Sequence, residues 1–148
     1  MLIRDWMTSS VISAKEDASM LKVSKLMQEH GIKRIPIVDD EMRLIGIVSD
    51  RDIKEASPSK ATTLDVHELS YLLSELKIKD IMTKNPVAVS SMDTIEQVAL
   101  IMLEKKLTGL PVVDWEKKLV GIITEADIFK IFTEISGVRR GGIQFALE

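Results

Sequence analysis

Two seven-residue elements of this sequence carry groups that could hold a ligand, and they match each other. They are Gly46-Ile47-Val48-Ser49-Asp50-Arg51-Asp52 and Gly121-Ile122-Ile123-Thr124-Glu125-Ala126-Asp127. In each, a hydroxyl residue stands where an apolar strand pattern gives way to a helix start. A hydroxyl beside the free N–H groups of a helix N-terminus suits a phosphate. An ionised carboxylate three residues later is a pure acceptor and can take both hydroxyls of a ribose. The same residues also make good helix caps. Ser49 with Asp52, and Thr124 with Asp127, approximate a capping box that satisfies helix ends without any ligand. Duplication does not choose between the readings, because duplicated structure duplicates its caps.

A second pair of elements adds weight to the ligand reading. Lys33-Arg34-Ile35-Pro36 and Thr108-Gly109-Leu110-Pro111 lead into apolar strands. Each such strand is expected to pair with the one that ends at Ser49 or Thr124. A base could then lie against the apolar strand edge, its sugar and phosphate directed at the helix start. Arg34 would offer a bidentate fork and Lys33 a point charge. The copies differ here, since Thr108-Gly109 stands in place of Lys33-Arg34, and Ala126 in place of Arg51. Unequal clefts are therefore expected. The first-copy cleft, with Lys33, Arg34 and Arg51, is the one expected to prefer a phosphorylated ligand.

The elements that must position these groups form a tandem repeat. Residues 3–55 align with 78–130 without a gap, and sixteen pairs are identical, among them Asp5/Asp80, Met7/Met82, Pro36/Pro111, Gly46/Gly121 and Asp52/Asp127. Each copy opens with Asp-x-Met-Thr and a short apolar piece, Val11-Ile12 or Val87-Ala88-Val89. A helix follows; in the second copy Thr94 and Gln97 predict a capping box ahead of an apolar stripe. Two apolar runs joined by a polar turn then predict a hairpin, and a second helix begins at Asp50 or Glu125. A unit of this size is marginal alone, so two copies are expected to share a core, with ligand clefts at their junction. Residues 57–77 predict a linker helix on Val66, Leu69, Leu72, Leu73 and Leu76.

Composition narrows the function classes. A net charge of -3 argues against a dedicated nucleic-acid binder. The sequence has no Cys, which removes disulfides, thiolate nucleophiles and cysteine metal sites. Its two histidines, His30 and His67, are far apart on different predicted helices, and no phosphate-binding or dinucleotide glycine loop occurs. No enzyme is expected. No run of residues reads as a membrane span or a signal peptide, so a cytoplasmic location is expected.

The Asp5–Thr8 and Asp80–Thr83 segments, the Pro-led strands and the paired Gly-h-h-[Ser/Thr]-x-x-Asp elements together resemble the CBS (Bateman module) family over residues 1–133. The resemblance implies an α/β (α+β) fold of two βαββα repeats with pseudo-twofold symmetry, at 1–56 and 78–135. It also implies a regulatory module that requires no cofactor and takes AMP, ADP, ATP or S-adenosylmethionine between the repeats. By this resemblance Asp52 and Asp127 hold ribose hydroxyls, while Ser49 and Thr124 contact phosphate. Ile12, Ser13 and Ala14, Val87, Ala88 and Val89, with Ile35 and Leu110 beside Pro36 and Pro111, flank the adenine. A homodimer is implied too. The competing expectation is a structural dimerisation module that binds no nucleotide. Residues 136–148 are similar to the lead-in of an ACT domain, as in the acetoin-utilisation (AcuB-like) proteins, and the chain is expected to stop where that domain would begin.

Overall fold

The computed structural model describes residues 1–58 and 63–138. The first copy runs β1 (Ala14–Lys15), α1 (Met20–His30), β2 (Arg34–Val38), β3 (Leu44–Ser49) and α2 (Asp50–Ala56), followed by the linker helix α3 (Val66–Glu75). The second runs β4 (Thr83–Lys84), β5 (Val89–Ser90), α4 (Ile95–Lys105), β6 (Gly109–Val113), β7 (Leu119–Thr124) and α5 (Glu125–Ser136). A short 3-10 turn opens each copy, Ile3–Asp5 and Ile78–Asp80.

Local chemistry explains the boundaries. Ser19 caps α1 by accepting the Lys22 N–H at 3.1 Å, and Gly31 ends the helix in the left-handed region at φ 61°. Thr94 and Gln97 form the expected capping box on α4 in both directions. The hairpin turns are held by one aspartate each. Asp39 Oδ1 accepts the N–H groups of Glu41 and Arg43, and Asp114 Oδ1 those of Glu116 and Lys118. The first ladder begins at Ala14, two residues beyond the apolar pair Val11-Ile12. Ala14 corresponds to Val89 of β5, so the ladders themselves keep the repeat's register.

The strands form two sheets, in the orders β1-β2-β3-β4 and β5-β6-β7. Each mixes one parallel pair with an antiparallel hairpin. The leading segment of each copy crosses to the other. Thr83 of β4 pairs with Ile47 of β3, and Thr8 bridges Ile122 of β7. The buried side chains follow the same exchange. Ile3 lies in the second copy's core with Val98, Leu110 and Ile123, while Ile78 lies in the first copy's core with Val23, Ile35 and Val48. Burying one such isoleucine stabilises by roughly 1.5–3 kcal/mol, so each copy depends on the other for part of its core.

The pseudo-twofold axis passes through equivalent residues that touch. Arg43 bridges Lys118; the Leu44 N–H donates to the Lys117 carbonyl and the Leu119 N–H to the Met42 carbonyl, both at 3.0 Å. Helix α3 packs on α1, with Leu73 and Leu76 against the first core, but Val66 and Leu72 of the expected stripe stay exposed. No described helix is long and apolar enough to cross a membrane. The ACT-like lead-in lies, from 139 onward, outside the described residues.

Candidate functional site

Both strand-to-helix elements do form caps. The Ser49 N–H donates to Asp52 Oδ2 at 2.8 Å while Ser49 Oγ accepts the Asp52 N–H at 3.1 Å. Thr124 and Asp127 repeat this at 2.8 and 3.4 Å, and the Thr124 hydroxyl also donates to Asp127 Oδ2 at 3.1 Å. The capping and binding readings are nevertheless compatible. In each pair the cap uses Oδ2, and among the described residues no donor reaches Oδ1. A carboxylate oxygen has two lone pairs, so Oδ1 is left to accept hydroxyls from outside the chain.

The sheet connections decide what faces each carboxylate. Because the first copy's leading segment lies on β7, Thr8, Ser10, Val11 and Ile12 stand opposite Thr124 and Asp127. They enclose a cavity of about 620 Å³ whose other walls are Gly31, Ile32, Lys33, Arg34, Thr108, Ile122, Glu125 and Ala126. A volume of this size suits a nucleoside-sized ligand. Val11, Ile12 and Ile32 provide apolar wall. At the helix start, the Glu125 N–H is taken by the Thr108 carbonyl at 2.9 Å, and the Asp127 N–H by Thr124. The Ala126 N–H is the open amide of that first turn among the described residues. Lys33 is exposed and makes no ion pair among the described residues. Arg34 reaches the Thr108 hydroxyl and donates a hydrogen bond to it.

The expected residues therefore divide. Ile12, Lys33, Arg34, Thr108, Thr124 and Asp127 come together in this cavity. Ser49, Arg51 and Asp52 do not line it, and Arg51 turns outward to Glu55 at 3.2 Å. Lys33 and Arg34 thus line the cavity that holds Asp127, the second copy's carboxylate, while their backbone lies beside Ser49 and Asp50 of the first copy. Ile35 and Leu110 are 0% and 1% exposed and belong to the two cores, as do Ala14 and Val89, while Pro36 and Pro111 are buried in their strands. The side chains of Ile35, Leu110, Ala14 and Val89 pack in the two cores behind the cleft. Ser13 and Ala88 are half-buried and Val87 is 41% exposed. By the repeat shift, Val87 and Gly109 are the equivalents of Ile12 and Arg34, and Ser49, Arg51 and Asp52 those of Thr124, Ala126 and Asp127. Thr8, Ser10 and Val11 were missed as lining residues. The signal was present in the repeated Asp-x-Met-Thr, whose threonine recurs at positions 8 and 83.

Comparison with known proteins agrees with this architecture. The family model described as "CBS domain" matches residues 3–59 and again 78–134. An L-aspartate semialdehyde sulfurtransferase of Methanocaldococcus jannaschii is 30% identical over 131 residues, covering 88% of this chain but only 23% of that protein. Three solved structures are similar over nearly their full length. CBSX2 in complex with AMP is 31% identical with a TM-score of 0.75, covering 91% of this chain and 98% of that one. The CBS domain pair of protein MJ0100, in complex with 5-methylthioadenosine and S-adenosyl-L-methionine, is 28% identical with a TM-score of 0.75 over the same shares. An acetoin utilization protein (AcuB) from Vibrio cholerae is 27% identical with a TM-score of 0.76, covering 97% of this chain and 98% of that one. With two matched copies over most of its length, exchanged leading segments and a cleft at their junction, the chain belongs to the CBS domain family.

Proposed function

We propose that this chain is a ligand-sensing regulatory module that binds an adenine nucleotide, or a related adenosyl compound, in the cleft around Asp127. The observation that carries the reading is that Asp127, whose cap uses only Oδ2, lines a nucleoside-sized cavity together with Lys33 and Arg34. Asp127 would accept the ribose hydroxyls, Thr124 and the Ala126 N–H would meet the first phosphate, and Lys33 with Arg34 would balance its charge. The base would lie along Val11, Ile12 and Ile32. Similar CBS pairs are known with AMP and with S-adenosyl-L-methionine bound, which supports an adenosyl ligand.

Regulation requires that the ligand bind two arrangements of the repeats unequally. Such a change would reach a partner through the helices. On α4 and α5, Leu103, Phe129, Phe132 and Ile135 are 64–77% exposed. A contiguous exposed apolar face of this kind is characteristic of interaction surfaces, and it supports a homodimer. It also supports the second reading, a dimerisation module with no nucleotide ligand.

Titration calorimetry with AMP, ATP, adenosine and S-adenosylmethionine separates the two. Saturable binding of at least one supports the sensor, and heat-silent titrations with all four leave the dimerisation module.

A further inference from the structure

Positions 34 and 109 are equivalent in the repeat, yet one is arginine and the other glycine. They meet near the pseudo-twofold axis. A Cβ on Gly109 would fall 2.7 Å from Arg34 Nη1, 2.8 Å from its Cζ and 2.9 Å from its Cδ. The absence of a side chain at 109 is thus what gives the Arg34 side chain its place. Its guanidinium donates to Thr108 Oγ1 there. Thr108 is in turn the equivalent of Lys33, and the carbonyls of both are fixed in matching bonds to the first amides of α2 and α5, at 2.8 and 2.9 Å. Two arginines at the axis would repel one another, and two glycines would leave neither junction a guanidinium. One of each leaves a single guanidinium between the two junctions, half-buried and bonded only to a neutral hydroxyl among the described residues.

We propose that Arg34 is a movable cation: docked on Thr108 and Gly109 in the ligand-free protein, and drawn off them by the anionic group of a ligand in the Asp127 cleft. A hydrogen bond from a guanidinium to an ionised acceptor is stronger than one to a hydroxyl, so a phosphate outcompetes Thr108. Because Gly109 is the equivalent of Arg34 across the pseudo-twofold axis and opens β6, the departure of Arg34 also frees the start of β6 and, with it, the equivalent junction. Occupancy of one cleft is thereby reported at the other without any direct contact between them. The docking hydrogen bond opposes phosphate binding and so sets how far the cleft favours phosphorylated over unphosphorylated ligands. This rests on the nucleotide reading of the Asp127 cleft.

The test compares AMP with adenosine by calorimetry, and follows the Thr108 and Gly109 amides by NMR. In the unaltered protein AMP shifts both amides and adenosine leaves them nearly unmoved. Thr108→Val removes the docking acceptor, and Gly109→Ala displaces the flexible Arg34 side chain sterically. Each raises the ratio of AMP to adenosine affinity by about two- to tenfold, the worth of one net hydrogen bond. Arg34→Ala lowers AMP affinity about tenfold, the lower end for a hydrogen bond to a charged group, and abolishes the AMP-specific amide shifts. The proposal is overturned if both docking variants leave the AMP-to-adenosine ratio at its original value. It is also overturned if AMP moves the two amides no more than adenosine does, an outcome in which the nucleotide reading survives. Failure of both ligands to bind the unaltered protein removes the nucleotide reading itself, and this inference with it.

Discussion

The two junctions of the molecule are built on one frame and finished differently. Each has a capped carboxylate with one oxygen to spare, a leading segment contributed by the other copy, and a Pro-led strand behind it. Around Asp127 the facing turn supplies Lys33 and Arg34, and the helix beyond runs for twelve residues. At Asp52 the helix has seven residues, and Arg51 is spent on Glu55. The difference teaches that a repeat conserves its caps for folding and is free to vary what faces them. Function in such a protein is to be sought in the positions where the copies disagree.

The largest test of that asymmetry is removal of each carboxylate. Asp127→Ala is expected to weaken AMP binding by roughly 100-fold, the loss of two hydrogen bonds to a charged group. Asp52→Ala should leave the tighter calorimetric phase nearly unchanged. Equal losses would erase the distinction between the junctions. A second test concerns the exchanged leading segments. A Cβ on Gly121 would crowd Met7 Sδ and stand 3.0 Å from the Thr8 carbonyl; on Gly46 it would stand 2.5 Å from Met82 Sδ and 3.2 Å from the Thr83 carbonyl. Gly121→Val and Gly46→Val should each destabilise by about 1–3 kcal/mol in denaturant melts, the usual cost of overpacking. Only the first should also weaken AMP, because Thr8 lines its cleft. If both variants impair AMP alike, the leading segments do not act locally.

The smallest effect separates the two hairpin turns. Desolvation pushes the Asp39 carboxyl up, but the Arg43 and Glu41 N–H groups and the Arg43 guanidinium, whose Nε lies 2.9 Å from Oδ2, together hold it below 3.8. A carboxylate depressed on folding contributes stability above its unfolded value, and that contribution is lost as the pH falls through the folded value. The loss belongs to the window below pH 3.8. Arg43→Lys, which copies the second turn's Lys118, should raise the Asp39 midpoint in a carbon-detected NMR titration. An unchanged midpoint would show that the backbone donors alone hold it.

Much of this was legible in the sequence because the repeat supplied its own check. The capping boxes, the hairpins and the two-copy architecture followed from spacing, since each depends on contacts within a few residues. What escaped was the exchange of Ile3 and Ile78 between cores, and with it the cavity that Lys33 and Arg34 line together with Asp127. Nothing local marks which copy a leading segment will dock on; the two cores accept the same Ile, Met and Thr at the same places. Ile35 and Leu110 were drawn toward the ligand for a related reason. An apolar strand residue reads alike whether it faces a cleft or the core behind it.

The exchanged isoleucines also bear on how the chain is made. Synthesis runs from the N-terminus, so the first copy leaves the ribosome well before Ile78 exists to complete its core. Ile3 meanwhile waits for Val98 and Ile123, about a hundred residues downstream, before it has anything to pack on. Contacts so distant in sequence form late, because the loop between them must close first. The early chain therefore has an incomplete first core and an unpacked leading segment, and both cores are completed only once the second copy is present.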